Sequence, residues 1–353
     1  MVVGVGLIGG SVGLTLRRAG WYVLGIDIDE DRLAEALAAG AIDEGAAVSE
    51  LSERGECDLA IVATPVKAVA GVVGRLLDAG AAVVTDVGSV KAPVAAEVND
   101  SRFVPGHPMA GSEQDGLAGA SADLFSGTTW VLTPTEVTDD SAFAEVREVV
   151  AATGAHVITM PPDRHDTLVA VVSHVPHLAA ATLMRLADGR AEEHRALLRL
   201  AAGGFRDMTR IAAGHPSIWP DICSQNRLAI VDVLDELVAE LSELRTVVAD
   251  DDQARLLSHL EEARHARRNL PTTVPADEAM SEMRIPVLDR QGEIAAVASL
   301  AAELDVNIYD LEIAHSTEGP RGVIVVLIET TMTERLQGGL MALGYRPSAR
   351  TID

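Results

Sequence analysis

Short hydrophobic runs alternate with amphipathic stretches over the first 160 residues of this chain. Each run is long enough for one strand, and several of the intervening stretches have the apolar spacing of a helix. This alternation predicts a doubly wound parallel α/β sheet over residues 1–160. The strands predicted after the first are 21–28, 58–65, 81–89, 102–108, 128–134 and 156–160.

The pattern changes at Pro161, where the strand-like runs stop. Long helical patterns follow, and we predict an all-helical second domain over residues 161–268. Residues 269–282 are polar, contain prolines and lack periodicity, which is typical of a linker. The clearest helical stripe has apolar residues three and four apart: Leu228, Val231, Leu234, Val238, Leu241 and Leu244.

Residues 283–353 alternate again, in the order strand, helix, strand, strand, helix, strand. This βαββαβ order is typical of a ferredoxin-like fold, whose sheet has one face covered by helices. The uncovered sheet edges are available for pairing with a second copy.

A glycine-rich loop follows the first predicted strand. Gly4, Gly6 and Gly9 fit the pattern GxGxxG. In this pattern the glycines permit a tight turn, close approach of a pyrophosphate and packing of the next helix. Leu7 and Ile8 lie at the start of that helix, where free N–H groups face phosphates. The loop predicts a dinucleotide-binding domain.

Asp27 ends the second predicted strand. A carboxylate there accepts hydrogen bonds from an adenosine ribose and repels a 2′-phosphate, which favours NAD over NADP. The alternative is an ordinary glycine turn, with Asp27 a solvated residue. Only Met1–Val3 precede the loop, so either the native chain starts upstream or this strand is unusually short.

Composition narrows the choice of partners. The formal net charge is -25, and Lys67 and Lys91 are the two lysines, so nucleic acids and anionic membranes are not expected as partners. Cys57 and Cys223 form no disulfide or metal framework. With no signal peptide and no run of 18 apolar residues, we expect a soluble, cytoplasmic protein.

The loops after the predicted strands hold the candidate reactive groups. Thr64 and Pro65 are placed to border the adenosine half of a cofactor, although a proline that merely ends a strand fits as well. Ser89 is placed near the nicotinamide. His107 lies between a glycine and a proline and is the candidate base for a hydroxyl proton, because histidine titrates near neutrality. Its alternative role is that of a hydrogen-bonded structural histidine.

The helical domain adds a second group of polar residues. Ser173 and His177 are four apart and would share a helix face, and Pro176 between them suits a first turn, whose free N–H groups attract a carboxylate. Arg206 and Arg210 are also four apart, and one of them is expected to bind a substrate carboxylate. The histidines lack a third ligand at convincing spacing, so no metal is expected.

Five segments together resemble the prephenate dehydrogenase family of tyrosine biosynthesis, and the C-terminal region resembles an ACT regulatory domain. The segments, in chain order, are GVGLIGGS, VGSVK, GHPMAGSE, VVSHVPH and FRDMTRIA. The resemblance implies an NAD-dependent oxidative decarboxylation of prephenate to 4-hydroxyphenylpyruvate. It also implies a homodimer built through the helical domain, for which the stripe from Leu228 to Leu244 is a suitable surface, although a core helix within one chain fits equally.

The same resemblance assigns roles to individual residues. His107 would accept the proton of the ring hydroxyl, and Ser89 would align His107 with the nicotinamide. Arg210 would bind a substrate carboxylate, Glu113 would gate or polarise the mouth of the pocket, and Ser173 with His177 would line it.

The resemblance leaves regulation and substrate open. An effector would bind near the turn after the first strand of the ACT domain, and L-tyrosine is the expected effector, with phenylalanine or a purely structural domain as alternatives. Rival functions are an arogenate dehydrogenase and a non-catalytic amino-acid sensor. A 3-hydroxyacid dehydrogenase is disfavoured, since no lysine follows Lys91. The residues expected at the effector site are Asp289, Gly292, Asn307 and Ile308.

Overall fold

A computed structural model describes residues 1–111, 114, 116–191, 201, 203–268, 279–288, 290–315 and 321–352. The chain forms two compact units. The first comprises residues 1–189 and 209–243, and the second comprises residues 190–208 and 244–353.

A six-stranded parallel sheet forms the centre of the first unit, in the order β3-β2-β1-β4-β5-β6. This is the strand order of a dinucleotide-binding Rossmann fold, as the alternating pattern predicted. The strand β3 was not predicted, because its sequence EGAA is a half-exposed edge strand without a hydrophobic run. The strands are β1 (Val2–Val3), β2 (Leu24–Asp27), β3 (Glu44–Ala47), β4 (Leu59–Val62), β5 (Val83–Asp86) and β6 (Phe103–Val104).

Helices cover both faces of this sheet, and each face has its own apolar core. One core packs around Val12, Leu16 and Trp130, and the other packs around Val69, Val73 and Leu76. The helices are α1 (Leu7–Arg18), α2 (Glu30–Ala38), α3 (Leu51–Arg54), α4 (Val66–Asp78), α5 (Ala92–Glu97) and α6 (Asp140–Ala152).

The predicted strand 102–108 is two strands in two different sheets. Pro105 separates them, because a proline has no N–H group with which to continue the hydrogen-bond ladder. The second piece, β7 (Gly106–Pro108), pairs antiparallel with β8 (Thr129–Leu132), which pairs in parallel with β9 (His156–Thr159). His107 therefore lies in a small three-stranded sheet next to the main one.

One continuous helix leads out of the nucleotide-binding part. It consists of α7 (Pro162–Val169), a π-helical turn (Ala170–His174) and α8 (Val175–Ala191). The expectation that Pro176 starts a helix is wrong, since Pro176 follows the π turn inside this helix. The wider turn accommodates the ring and the missing N–H group of a proline, and the free N–H groups expected there do not exist.

The same helix meets the length and hydropathy of a membrane span over Pro162–Arg190, which the sequence did not suggest. That test considers length and composition alone, and core helices of soluble proteins also meet it. Three polar residues of this helix, His165, Asp166 and His174, are buried within the first unit. These burials support a core helix.

The rest of the first unit's helices are α10 (Trp219–Gln225) and most of α11 (Arg227–Ala249). Ile230 of α11 packs against Ala170 and Val175, and Leu234 joins that cluster. Four other apolar residues of α11, Leu228, Val231, Val238 and Leu241, are exposed in the single chain.

The second unit contains an antiparallel four-stranded sheet in the order β11-β12-β10-β13. This βαββαβ arrangement is ferredoxin-like, as the sequence predicted. Its elements are β10 (Met280–Leu288), α13 (Glu293–Glu303), β11 (Asp310–His315), β12 (Arg321–Glu329), α14 (Thr333–Ala342) and β13 (Ser348–Ile352). Two further helices are α9 (Gly203–Thr209), nearly all of it in this unit, and α12 (Gln253–Arg268).

Candidate functional site

The glycine loop has the geometry of a phosphate cradle. Gly4 has a φ of +93°, and a Cβ atom there would overlap the carbonyl oxygen of Ala63. A Cβ atom on Gly9 would overlap the carbonyl oxygen of Gly4, whereas one on Gly6 would meet no atom within 4 Å. The α1 helix begins directly after Gly6, and no side chain caps it. Open space therefore lies in front of uncapped N–H groups, as an anion requires.

Asp27 lies at the end of β2 and is buried. Its Oδ2 accepts a hydrogen bond from the Val5 amide at 2.9 Å, and its Oδ1 accepts one from the Asp29 amide at 3.0 Å. The carboxylate thus fixes the glycine loop to the second strand. Each oxygen keeps a lone pair for a further donor.

A cleft of about 910 Å³ opens in front of this loop. All of its lining residues belong to the first unit, and they include Thr64, whose buried Oγ1 has no hydrogen-bond partner among the described residues. Two arginines, Arg32 and Arg210, add positive charge. The residues around it are Gly6–Gly9, Ala63–Val66, Val87–Ser89, Gly111, Gln114, Gly116, His177, Ile211, Gly214, His215, Ser217–Trp219, Asp221 and Ile222.

A buried ion pair joins the loops that carry Ser89 and His107. Asp86 accepts hydrogen bonds from the Gly88 amide at 2.9 Å and from the Gly106 amide at 3.1 Å. The Lys91 ammonium, fully buried, donates to Asp86 and to the Gly106 carbonyl oxygen at 2.7 Å. Burial lowers the pKa of Lys91, and the Asp86 carboxylate opposes that shift.

His107 is the first member of a buried hydrogen-bonded chain. Its Nδ1 lies 2.8 Å from Nε2 of His165, and the two rings meet edge to face. Nδ1 of His165 lies 2.8 Å from Oδ1 of Asp166. Asp166 also accepts hydrogen bonds at 2.8 Å from the amides of Lys91 and Ala92.

The surroundings keep His107 neutral. Burial lowers the pKa of His107 well below its ordinary value, and the nearby groups His165, Lys91 and His174 lower it further. A neutral imidazole has a lone pair that can accept a proton, as a general base requires.

His174 and Trp219 extend the polar cluster toward the cleft. Burial lowers the pKa of His174 to about 4, and its Nδ1 lies 3.2 Å from Nδ2 of Asn226. Asn226 also donates to the carbonyl oxygen of Asp166 at 2.8 Å. The Trp219 ring stacks on His177 with centroids 3.6 Å apart, and both residues line the cleft.

The predicted site residues fall into three groups. Those that line the cleft are Gly6, Leu7, Ile8, Gly9, Thr64, Pro65, Ser89, His177 and Arg210. Gly4, Asp27, His107 and Ser173 belong to the same unit but are not among the residues that line it. Glu113 lies outside the described residues. His107 hydrogen-bonds to His165, and among the described residues no such bond joins it to Ser89.

In the second unit, Gly292 has a φ of +99° and caps α13, and Ile308 packs on the apolar core. Asn307 precedes β11. Asp289 lies outside the described residues.

Sequence reasoning gave no role to His165, Asp166, His174 or Lys91. The first two are adjacent in PPDRHD, at the start of an apolar helix. A charged and a titratable residue next to each other at a position predicted to be buried would have been the signal. His165 is 58 residues from His107 in the sequence, so their contact could not be predicted from the spacing of a motif.

Comparisons with known proteins agree with this geometry. Residues 12–159 match the family described as "Prephenate dehydrogenase, nucleotide-binding domain", and residues 161–262 match "Prephenate dehydrogenase, dimerization domain". The prephenate dehydrogenase of Bacillus subtilis (strain 168) is 34% identical over 94% of this chain and 92% of its own length.

Solved structures show the same relationship. A prephenate dehydrogenase from Aquifex aeolicus, in complex with hydroxyphenyl propionate and NAD+, has a TM-score of 0.72 and 30% identity, covering 76% of this chain and 97% of its own. The Synechocystis arogenate dehydrogenase has a TM-score of 0.64 and 30% identity, covering 75% and 97%. The matches to both domains and to a relative along nearly its whole length show that this chain belongs to the prephenate dehydrogenase family.

Proposed function

We propose that this chain is an NAD-dependent prephenate dehydrogenase that acts in L-tyrosine biosynthesis. The observation that carries the proposal is His107, a buried and neutral imidazole whose neighbour Gly106 is joined through Asp86 to Gly88 in the wall of the dinucleotide cleft. The reaction converts prephenate to 4-hydroxyphenylpyruvate and CO₂. A hydride leaves the carbon that bears the ring hydroxyl, and the hydroxyl proton leaves with it.

The cleft suits NAD, which when bound supplies the hydride acceptor. The open space at Gly6 and the uncapped start of α1 suit the pyrophosphate, and the unpartnered Thr64 hydroxyl suits a polar group of the cofactor. The free lone pairs of Asp27 suit the ribose hydroxyls, and its charge disfavours NADP. The Aquifex aeolicus structure also contains NAD+.

His107 would hold the hydroxyl proton only transiently. Oxidation of the ring carbinol gives a ketone, and breaking the bond to the ring carboxylate then releases CO₂ and leaves the electron pair on that oxygen. The resulting phenolate takes a proton, which His107 is placed to return. The aromatic ring that forms makes the reaction irreversible, and the base ends the turnover in its starting state.

Other residues of the cleft would orient the substrate. Arg210 is placed to bind a substrate carboxylate, Ser89 to align His107 with the nicotinamide, and His177 to line the pocket against Trp219. Ser173 with His177 and Glu113 at the mouth stay predictions from the family resemblance.

Arogenate is the alternative substrate, since the Synechocystis relative is an arogenate dehydrogenase. A Zymomonas mobilis relative, 35% identical over 62% of this chain and 76% of its own length, is a cyclohexadienyl dehydrogenase. The reaction at the ring would be the same, and the side chain would carry an amine. A non-catalytic sensor of amino acids is disfavoured because a sensor needs no neutral base in this place.

The test is a comparison of NAD(P)H formation with prephenate and with arogenate, each with NAD and with NADP. The proposal expects the highest kcat/KM with prephenate and NAD, with one CO₂ released per NADH. A preference for arogenate would transfer the assignment to that substrate. No turnover with either would contradict the proposed activity.

For the second unit we propose an ACT regulatory domain that binds L-tyrosine. Its ferredoxin-like topology supports this role, and the turn at Asp289 and Gly292 with Asn307 and Ile308 is the expected site. L-Tyrosine is expected to inhibit wild-type turnover and to inhibit an Asn307→Ala variant less. Inhibition that is equal in the two proteins, or by phenylalanine alone, would contradict this assignment.

We also propose a cytoplasmic homodimer formed through the helical region. The exposed apolar residues of α11, Leu228, Val231, Val238 and Leu241, support it, as does the match to a dimerization domain. Sedimentation equilibrium should show a dimer for the wild type and a monomer for Leu241→Asp. A monomeric wild type would contradict it.

A further inference from the structure

The series of hydrogen bonds from Asp166 through His165 to His107 has a fixed donor and acceptor at each step, and the acceptors determine which atom donates. Asp166 accepts from the backbone amides of Lys91 and Ala92, one on each oxygen, at 2.8 Å. Both amides can only donate, so the carboxylate acts as their acceptor, and as an ionised carboxylate it is an acceptor toward His165 as well. Nδ1 of His165, 2.8 Å from Oδ1, must therefore carry a hydrogen.

A His165 ring whose one hydrogen lies on Nδ1 has its lone pair on Nε2. That nitrogen lies 2.8 Å from Nδ1 of His107, so Nδ1 of His107 must be the donor. A neutral His107 that is protonated on Nδ1 has its lone pair on Nε2. This is the ring nitrogen that no protein group in the described residues occupies, and His107 retains 8% exposure.

We propose that His165 and Asp166 are positioning residues that hold His107 in the Nδ1-protonated tautomer, with Nε2 free to accept the substrate's hydroxyl proton. The inference rests on the proposed function for its catalytic meaning, and on the hydrogen bonds alone for the tautomer. It assigns the reacting nitrogen of the base. Ser89, by contrast, makes no hydrogen bond to this ring.

The same series of hydrogen bonds stabilises the positive charge that His107 acquires. When Nε2 takes the proton, Nδ1–H of His107 can pass its own proton to Nε2 of His165, so that the cation forms next to the Asp166 carboxylate. No proton is gained or lost in this exchange, and it reverses when Nε2 returns its proton to the product. The other charged and titratable groups that face His107 are Lys91, paired with Asp86, and His174, which donate no hydrogen bond to its ring.

Three sets of hydrogen bonds fix the backbone around His107, His165 and Asp166. The Asp166 side chain binds the start of α5 through Lys91 and Ala92, and the Asp166 carbonyl oxygen accepts a hydrogen bond from Asn226. The Lys91 side chain binds the carbonyl oxygen of Gly106, directly before His107. The positions of His165 and His107 are therefore coupled through rigid neighbours.

Substitutions of Asp166 and His165 distinguish a role in positioning His107 from a purely structural role. Asp166→Asn removes the acceptor that orients His165, so we expect kcat with prephenate to fall on the order of 10²- to 10⁴-fold, with KM changed less than about threefold. Removal of the negative charge also disfavours protonated His107, so the acidic limb of the kcat profile should move to lower pH. A purely structural role would not move this limb.

His165→Gln is the conservative variant, because its amide oxygen still accepts from His107 but cannot become a cation. It should retain more activity than His165→Leu, which offers no acceptor. His156→Gln, an exposed histidine on β9, is the matched control and should behave as wild type. Equal losses in His165→Gln and His165→Leu, or an unchanged acidic limb in Asp166→Asn, would overturn the proposal.

The deciding experiment observes the tautomers directly in the full-length protein labelled with ¹⁵N-histidine. Long-range ¹H–¹⁵N spectra near neutral pH, assigned with His107→Asn and His165→Gln, should show both rings protonated on Nδ1 only. His107 protonated on Nε2 would overturn the proposal, whether or not the Asp166 variant folds. If the tautomers are as expected but neither prephenate nor arogenate is oxidised, the proposed function fails and the assignment of the tautomer stands.

Discussion

The three glycines of the first loop are required for different reasons. Gly9 packs against the carbonyl group of Gly4, so a side chain there would collide with the protein itself. Gly6 faces open space, so a side chain there would collide only with something bound. This distinction agrees with the separate roles of the glycines in the motif, and the two positions should therefore respond differently to the same substitution.

We predict that Gly6→Ala unfolds at nearly the wild-type temperature but binds NAD about tenfold or more weakly, because the methyl group takes the place of a phosphate. Gly9→Ala should instead lose about 1–3 kcal/mol or more of unfolding free energy through overpacking. Thermal unfolding and NAD titration of both variants check this. A destabilised Gly6→Ala with normal NAD affinity would contradict the account.

Arg210 lines the cleft, whereas Arg206 lies on the preceding helix α9 and does not line it. Arg210→Ala should raise the KM for prephenate about 10- to 100-fold with a smaller change in kcat, since it removes a charged contact present before the reaction. Arg206→Ala is the matched control and should change KM little. Steady-state kinetics decide, and a larger effect of Arg206→Ala would reverse the two assignments.

At this scale the sequence pointed to the residues of the proposed site but not to the residues that hydrogen-bond to them. Ser89, His107 and Arg210 belong to short motifs, and a motif is local in the chain. The partners of His107 are set by tertiary packing, which brings the HD pair of α7 against β7. The segment VGSVK contributed to the family resemblance. The burial of Lys91 could not be predicted from it, because this side chain is enclosed by contacts with both Asp86 and Gly106.

At the scale of elements, the π-helical turn Ala170–His174 holds one residue more than an α-helical turn and so offsets the residue register between the two halves of its helix. His165 and Asp166 precede this turn and hold His107, and His177 follows it and lines the cleft. The sequence predicted a helix here but placed its start at Pro176, because proline is favoured in first turns. A widened turn within a helix has no comparably clear sequence pattern.

A π-helical turn contains one residue more than an α-helical turn, so deletion of Val172, an exposed residue of the turn, should give a continuous α-helix whose two flanks keep nearly their original orientation. Insertion of one alanine after Val175, in the α-helical part, should instead rotate the following residues by about 100°. We expect kcat/KM for prephenate to fall by about 10²-fold or more in the insertion variant because His177 leaves the cleft, with helix content by circular dichroism near that of wild type. A larger loss in the deletion variant than in the insertion variant would contradict this account of the turn.

At the scale of the whole molecule, the fold was largely predictable and the boundaries between units were less so. The hydrophobic periods predicted a doubly wound parallel sheet in the first unit and the βαββαβ order of the C-terminal elements. They could not show that β6 and β7 separate at Pro105, or that residues up to 189 and 209–243 form one compact unit. Such divisions depend on contacts between distant segments.

Buried neutral histidines make the stability of the whole molecule depend on pH. His174 has an ordinary pKa of 6.5 and a pKa of about 4 in the folded chain, so the unfolded chain binds its proton first as the pH falls. Stability should therefore decline from about pH 6.5 to about pH 4, by roughly 3 kcal/mol for His174 alone. Burial also lowers the pKa of His107, so its protonation in the unfolded chain adds to the loss of stability at low pH.

Urea unfolding between pH 7 and pH 4 checks this decline. His174→Phe, which removes the titrating group, should show a shallower loss of unfolding free energy over this interval, and the exposed His156→Gln should show the wild-type loss. Identical slopes for the wild type and His174→Phe would show that the imidazole of His174 does not titrate as its burial requires.

The central claim is that His107 removes the substrate's hydroxyl proton beside bound NAD. The most direct measurement is the turnover of prephenate by His107→Asn, made together with a titration of NAD binding to the same preparation. The account predicts that kcat falls on the order of 10²- to 10⁴-fold while the Kd for NAD stays within about threefold of wild type. Turnover near the wild-type rate, with NAD bound normally, would contradict it.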